Sequence, residues 1–173
     1  MKNLLLLLTI SIFFIGCSKT ETIDIVEIPP KAKVTNMILK VPIYLKDNGY
    51  NNFKTILITD KGKLDKFLKE IKTQKGWDKK ENFLDTLSIQ NIDFNKQNLL
   101  IYRITENSSA IVLAVNVPTV LKNHARVIIG KEKPKSTTTD MAYYALAYLV
   151  DKKIEDITFD DGDSNSTVKN NDL

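Results

Sequence analysis

The stretch MAYYALAYLV, Met141–Val150, decides how this chain is read. Its apolar residues fit a helix or a strand by pattern alone. Four members, Tyr143, Tyr144, Tyr148 and Val150, are aromatic or β-branched, and the β-like run KKIEDITF follows directly, so the reading is two late strands. In a strand Tyr144 and Tyr148 share one face and Tyr143 takes the other. One face then fills a core, and an exposed face of Tyr143, Tyr144 and Tyr148 would be the first place to look for an interaction surface, because tyrosine is large, stiff and ends in a hydroxyl. Core filling by all three is the favoured reading, because aromatic stripes in strands usually fill a core.

Upstream, Asn98–Thr105, Ala110–Val117 and His124–Lys131 read as three more strands, divided by ENSS and by a loop around Pro118. Earlier still, Val34–Tyr44 and Phe53–Thr59 are β-rich runs joined by KDNGYNN, in which Asn48 and Gly49 tolerate positive φ in a turn. Thr59-Asp60 supplies a helix cap, and Leu64, Phe67, Leu68 and Ile71 fall at i, i+3, i+4 and i+7. These residues predict one amphipathic helix of about three turns. Phe83–Ile92 fits irregular chain or a short strand. The order β-β-α-β-β-β-β-β defines an α+β domain over residues 34–159, with one helix on a mainly antiparallel sheet or partly open barrel.

The chain opens differently. Lys2 precedes the apolar run LLLLLTISIFFI, Leu4–Ile15, which is short for a bilayer-spanning helix of about 20 residues and has the order of a secretory signal. Phe14-Ile15-Gly16-Cys17 resembles the lipobox of bacterial lipoproteins, with Phe14 where leucine is usual. That resemblance implies cleavage after residue 16 and acylation of Cys17, whose thiol is the nucleophile such a transfer needs. The bilayer is then a partner through Cys17, and the expected location is the bacterial cell envelope. Ser18 in place of aspartate points to the outer membrane. Residues 17–33, which include Pro29-Pro30, read as a polar tether stiff enough to clear the headgroups, and Ile23, Ile25 and Ile28 leave open a short edge strand within it.

Removing residues 1–16 from the 173 leaves 157, enough for one domain with a real core. Cys17 is the chain's one cysteine, so packing rather than a disulfide must hold the fold. The +4 net charge falls to about +3 without Lys2. No basic block is interleaved with aromatics, and nucleic acid is not an expected partner.

Few residues offer chemistry. A thiol mechanism is lost once Cys17 is acylated, and a histidine-assisted serine or a multi-histidine metal site has only His124 to draw on. His124 reads as a surface or turn residue. Ser108-Ser109 lies in a hairpin loop without the Gly-x-Ser-x-Gly elbow, Asp93 is a turn residue, and no spacing pairs Glu106 with another carboxylate. The six glycines form no phosphate loop. The expectation is a protein without catalytic residues, cofactor or metal.

Residues 160–173, DDGDSNSTVKNNDL, read as a disordered polar tail. Asp161, Asp163, Asn165, Thr167 and Asp172 mimic the spacing of a calcium loop, but Ser166 stands where glycine is needed and no helix follows. The same stretch, Asp163–Thr167, matches an acidic-extended Asn-x-Ser/Thr sequon with Asn165 as the glycan acceptor.

KTILITDKGKLDKFLKEI, DFNKQNLLIYRITENSSAIVLAVN and KSTTTDMAYYALAYLVDKKIEDITF, in this order, resemble the C-terminal domain of the protease-complex subunit PrcB family over about residues 53–159. The resemblance implies a binding or assembly role beside a secreted or membrane-linked protease, and it brings no catalytic residue. The alternative is a small-ligand binder with a pocket between helix and sheet.

Overall fold

The computed structural model describes residues 36–170. The signal segment 1–16, Cys17, the tether 17–33 and Asp172 lie outside them. The described chain forms nine strands and two α-helices: β1 (Ile38–Val41), β2 (Ile56–Ile58), α1 (Lys61–Thr73), α2 (Lys80–Ser88), β3 (Gln97–Glu106), β4 (Val112–Val115), β5 (Thr119–Leu121), β6 (His124–Glu132), β7 (Ala142–Asp151), β8 (Asp156–Asp160) and β9 (Asn165–Lys169). The fold is α+β with mostly antiparallel sheets, and it is not closed into a barrel.

The first sheet has the order β1-β7-β3-β2, antiparallel throughout. The second runs β4-β6-β8-β9, with β5 also on β6 and a parallel pairing of β6 with β8. The first sheet is the middle layer. On one side α1 and α2 deliver Leu64, Phe67, Ile71, Phe83, Leu84 and Leu87 onto Leu99, Ile101, Ala145 and Ala147. On the other, Leu100, Tyr144, Leu146 and Tyr148 meet Val127, Ile129, Ile157 and Phe159 of the second sheet.

This middle position explains why MAYYALAYLV is ambiguous by pattern. A strand covered on both faces loses its polar alternation and reads as a continuous apolar run. What alternates is size: Ala145 and Ala147 face the helices, while Tyr144, Leu146 and Tyr148 face the second sheet. The small residues let the helical layer approach closely, and the large ones fill the space between sheets.

Helix α1 follows its local code. The Asp60 side chain accepts the Lys63 N–H at 2.8 Å as N-cap, a contact worth about 1 kcal/mol, and Leu64, Phe67 and Ile71 are buried. Helix α2 corrects the expectation of strand or irregular chain over Phe83–Ile92. Its N-cap is Lys79, with no capping side chain of its own. The Lys79 N–H is instead held by the Asp47 carboxylate at 2.8 Å, from 32 positions away, so the signal that starts this helix is not local. Phe83, Leu84 and Leu87 then bury its inner face.

Three further corrections come from the strands. The segment after Pro118 is β5, a short hairpin partner of β6 turned through Lys122 at φ 55°. Gly49 carries no positive φ. It sits in a 3-10 turn, Asn48–Asn52, where an added Cβ would lie 1.9 Å from the Trp77 ring, so space rather than backbone freedom requires glycine. The tail is not disordered through residue 170: β9 pairs with β8 along its whole length. Asn170 is buried and locks its end. Its side-chain amide donates to Asp151 O at 2.9 Å and Ile154 O at 2.8 Å, while its backbone carbonyl accepts from Asn98 at 2.9 Å.

Candidate functional site: the groove beside strand β1

The tyrosines of β7 do not form an exposed recognition face. Tyr144 and Tyr148 are buried between the sheets, with the Tyr144 hydroxyl donating to Ile111 O. Burial pushes both hydroxyls' pKa upward. Tyr143 is half-buried on the helix side, its ring 5.8 Å from the Arg103 guanidinium. The physical reason is strand position: β7 lies inside its sheet and is covered on both faces, so none of its aromatics is fully exposed.

The other singled-out residues are engaged locally. His124 opens β6, its Nδ1 3.0 Å from Asp156 Oδ1 and its Nε2 3.9 Å from Glu155. Burial raises the Asp156 pKa, but bonds from His124 and Lys169 outweigh it and leave it lowered. The Ser108 Oγ lies 2.9 Å from Thr138 Oγ1 and accepts the Thr138 N–H, pinning the loop before β7 to the β3–β4 turn. Asp93 accepts the Asn95 N–H as a turn residue. Asn165 is exposed at the start of β9.

Asp161 and Asp163 do not stand as a calcium loop. Asp161 lies 2.7 Å from Lys131 Nζ, and Glu106 lies 3.0 Å from the same nitrogen. The bond from Lys131 holds the Asp161 carboxyl at about 2. Among the described residues no group of three His, Cys, Asp or Glu is placed to hold a metal ion.

The site that sequence reasoning missed lies on the edge of the first sheet. Strand β1 has β7 on one side and, among the described residues, no strand on the other. The Asp151 N–H donates to Met37 O at 2.8 Å, so by the alternation of an antiparallel ladder Leu39 and Val41 also bond to β7. The N–H and C=O groups of Ile38 and Lys40 therefore point to the open edge.

Beyond Val41 the ladder breaks. Val41 pairs with Ala147, and the next bonded residue is Leu45, whose carbonyl accepts from Ala145. The chain advances four positions against two on β7, a bulge with two extra residues, of the kind that re-aims side chains at sheet edges. Pro42 centres it: Pro42 has no N–H to give, and the Ile43 N–H turns back onto Val41 O at 2.9 Å. The Tyr50 hydroxyl donates to Tyr44 O at 2.6 Å and fixes the far side.

The bulge and α2 enclose an open cavity of about 480 Å³ lined by Lys40, Pro42, Ile43, Tyr44, Asn82 and Thr86. Tyr44 is 43% exposed and Leu39 44%, and the Lys79 ammonium lies 5.3 Å from the Tyr44 ring centroid. Backbone donors and acceptors that have no partner among the described residues, an apolar wall and a few polar side chains are the components of a site that takes up an extended polypeptide as an added strand. The clue in the sequence is Lys40-Val41-Pro42: a proline closing a strand marks an edge.

The structure defines a three-layer α+β domain with an open edge groove. No family model, curated protein or solved structure matches the chain.

Proposed function

We propose that this chain is a lipid-anchored protein of the bacterial cell envelope whose folded domain binds another protein. The partner contributes an extended segment to the open edge of β1. The observation that carries the reading is the pairing of edge groups at Ile38 and Lys40, unfilled among the described residues, with the groove walled by Pro42, Tyr44, Asn82 and Thr86. The anchor rests on FIGC after the apolar leader, and the acyl chains on Cys17 hold the domain at the membrane. The partner class, a secreted or membrane-linked protease, rests on the resemblance to the PrcB C-terminal domain. The role is assembly or adaptation, with no chemistry of its own.

The test is a crosslinked pull-down of the native membrane-anchored protein, with Cys17→Ala as control. One envelope protease recovered in near-stoichiometric amount with the anchored form supports the reading. Equal recovery of many proteins from both forms contradicts it.

A second reading, a small ligand in the same groove, is favoured by the groove's place between α2 and the first sheet. Retention of a small molecule by the purified native protein, detected by mass spectrometry after denaturation, distinguishes it. Asn165, exposed at the start of β9, is also proposed as a glycan acceptor. An added mass on native protein that disappears in Asn165→Gln tests that assignment.

A further inference from the structure

The charges around the groove specify what kind of segment it takes. Of the six side chains lining it, Lys40 is the one charged group, and none is a carboxylate. Lys79 stands beside it over the Tyr44 ring. Among the described residues, neither Lys40 nor Lys79 forms an ion pair, although eleven ion-pair contacts are made elsewhere by other residues. The neighbouring acid Asp47 is already committed: its two oxygens accept the N–H groups of Gly49 and Lys79 at 2.8 Å each. The acids of α2 face elsewhere. Asn82 and Thr86, four residues apart, share the groove face, while Glu81 and Asp85 precede them by one position, about 100° around the helix.

We propose that the segment added to β1 is acidic, carrying carboxylate side chains that pair with Lys40 and Lys79. Its backbone would use the outward donors and acceptors of Ile38 and Lys40, and Pro42 would stop the added ladder at the bulge. Uncommitted cations flanking a polypeptide groove select partners by charge: they favour carboxylates and penalise basic segments through like-charge contact. The proposal rests on the groove reading above and adds the chemistry of the occupant.

Three fluorescently labelled, end-blocked peptides serve as probes, Ser-Glu-Val-Glu-Val-Glu-Ser and its counterparts with glutamine or lysine at the three glutamate positions. Binding to the full-length, membrane-anchored protein in detergent micelles is followed by fluorescence anisotropy. The glutamate peptide binds tightest, and the glutamine peptide binds about three- to tenfold weaker, the range two exposed ion pairs supply. Lys40→Glu/Lys79→Glu abolishes the preference for glutamate, while Lys54→Glu/Lys135→Glu, which makes the same change in net charge at two exposed lysines outside the groove lining, retains it. Far-ultraviolet circular dichroism confirms that both variants are folded. Equal affinity for the glutamate and glutamine peptides, with binding still lost on Tyr44→Ala, overturns the acidic assignment and leaves the groove reading standing. Absence of binding by all three peptides overturns both.

Discussion

Gly49 and Trp77 are in direct backbone-to-ring contact: a Cβ on Gly49 would meet the indole at 1.9 Å. Around them Tyr50, Phe53, Phe67 and Phe83 pack edge-on or tilted, with ring centroids between 5.2 and 6.4 Å apart. This aromatic cluster joins the turn before β2 to both helices, and the Tyr50 hydroxyl carries its order to the bulge at Tyr44. The shape of the groove thus depends on a glycine that does not line it.

Gly49→Ala should destabilise the domain by about 1–3 kcal/mol through overpacking. Trp77 is the chain's one tryptophan. Denaturant unfolding followed by its emission reports the loss, and a native-state red shift reports displacement of the ring. A variant as stable as the parent with unchanged emission contradicts the contact.

Asn170→Ala should cost about 1–3 kcal/mol, because it strands the Ile154 carbonyl and takes one of two N–H donors from the Asp151 carbonyl, while the Asn98 amide keeps its bond to the backbone carbonyl of residue 170. Hydrogen exchange should show β9 opening before the rest of the fold. Uniform exchange across β9 and β6 in the variant would mean that Asn170 is not what holds the strand.

Lys131 is 11% exposed and bonded to Asp161 and Glu106. The Asp161 pKa is depressed from 3.8 to about 2, chiefly by the bond from Lys131, against the opposing effect of burial. Its contribution to stability is present above the unfolded value and is lost as pH falls from about 4 to about 2. The Lys131 pKa is raised: burial opposes the charged form, and the bonds to Asp161 and Glu106 outweigh burial. That contribution is fully present at neutral pH and is lost only as pH rises above 10.5. Lys131→Met should lower stability by about 2–3 kcal/mol at pH 7, since it leaves two carboxylates without their cation. It should also flatten the acid limb of the stability–pH curve. An unchanged limb in urea unfolding between pH 2 and pH 5 would remove Asp161 as its source.

Much of the fold is legible in residue patterns, and each failure has a physical cause. Helix α1 carries its own cap and apolar period, so Asp60, Leu64, Phe67 and Ile71 suffice to find it. Helix α2 does not, because its entry is held by Asp47 from across the chain. The strand reading of Met141–Val150 holds and Tyr144 and Tyr148 fill the core, while the alternative of an exposed tyrosine face fails, since covering layers on both sides of a strand leave no trace in its own sequence. The polar tail becomes strand β9 because an edge strand needs only one neighbour, and the buried amide of Asn170 secures its end. The groove was hidden for a related reason. An open edge is a property of sheet order, and only Pro42 hints at it locally.

Cys17→Ala should leave an unprocessed or a soluble protein and so lower its share in the membrane fraction, since the variant has no thiol to acylate. Fractionation of cells expressing each form measures this, and an unchanged membrane share in the variant contradicts lipid anchoring.

Docking of a partner on the edge of β1 is open to direct test. The most direct measurement replaces Tyr44 with a photo-crosslinking benzoylphenylalanine in the native membrane-anchored protein, with the same replacement at Leu121, an exposed residue of β5 in the second sheet, as control. Docking at this edge predicts one envelope protein crosslinked through Tyr44 and not through Leu121, with the crosslink mapping to an acidic, extended segment of that partner. Crosslinks of equal yield from both positions, or from Leu121 alone, would contradict it.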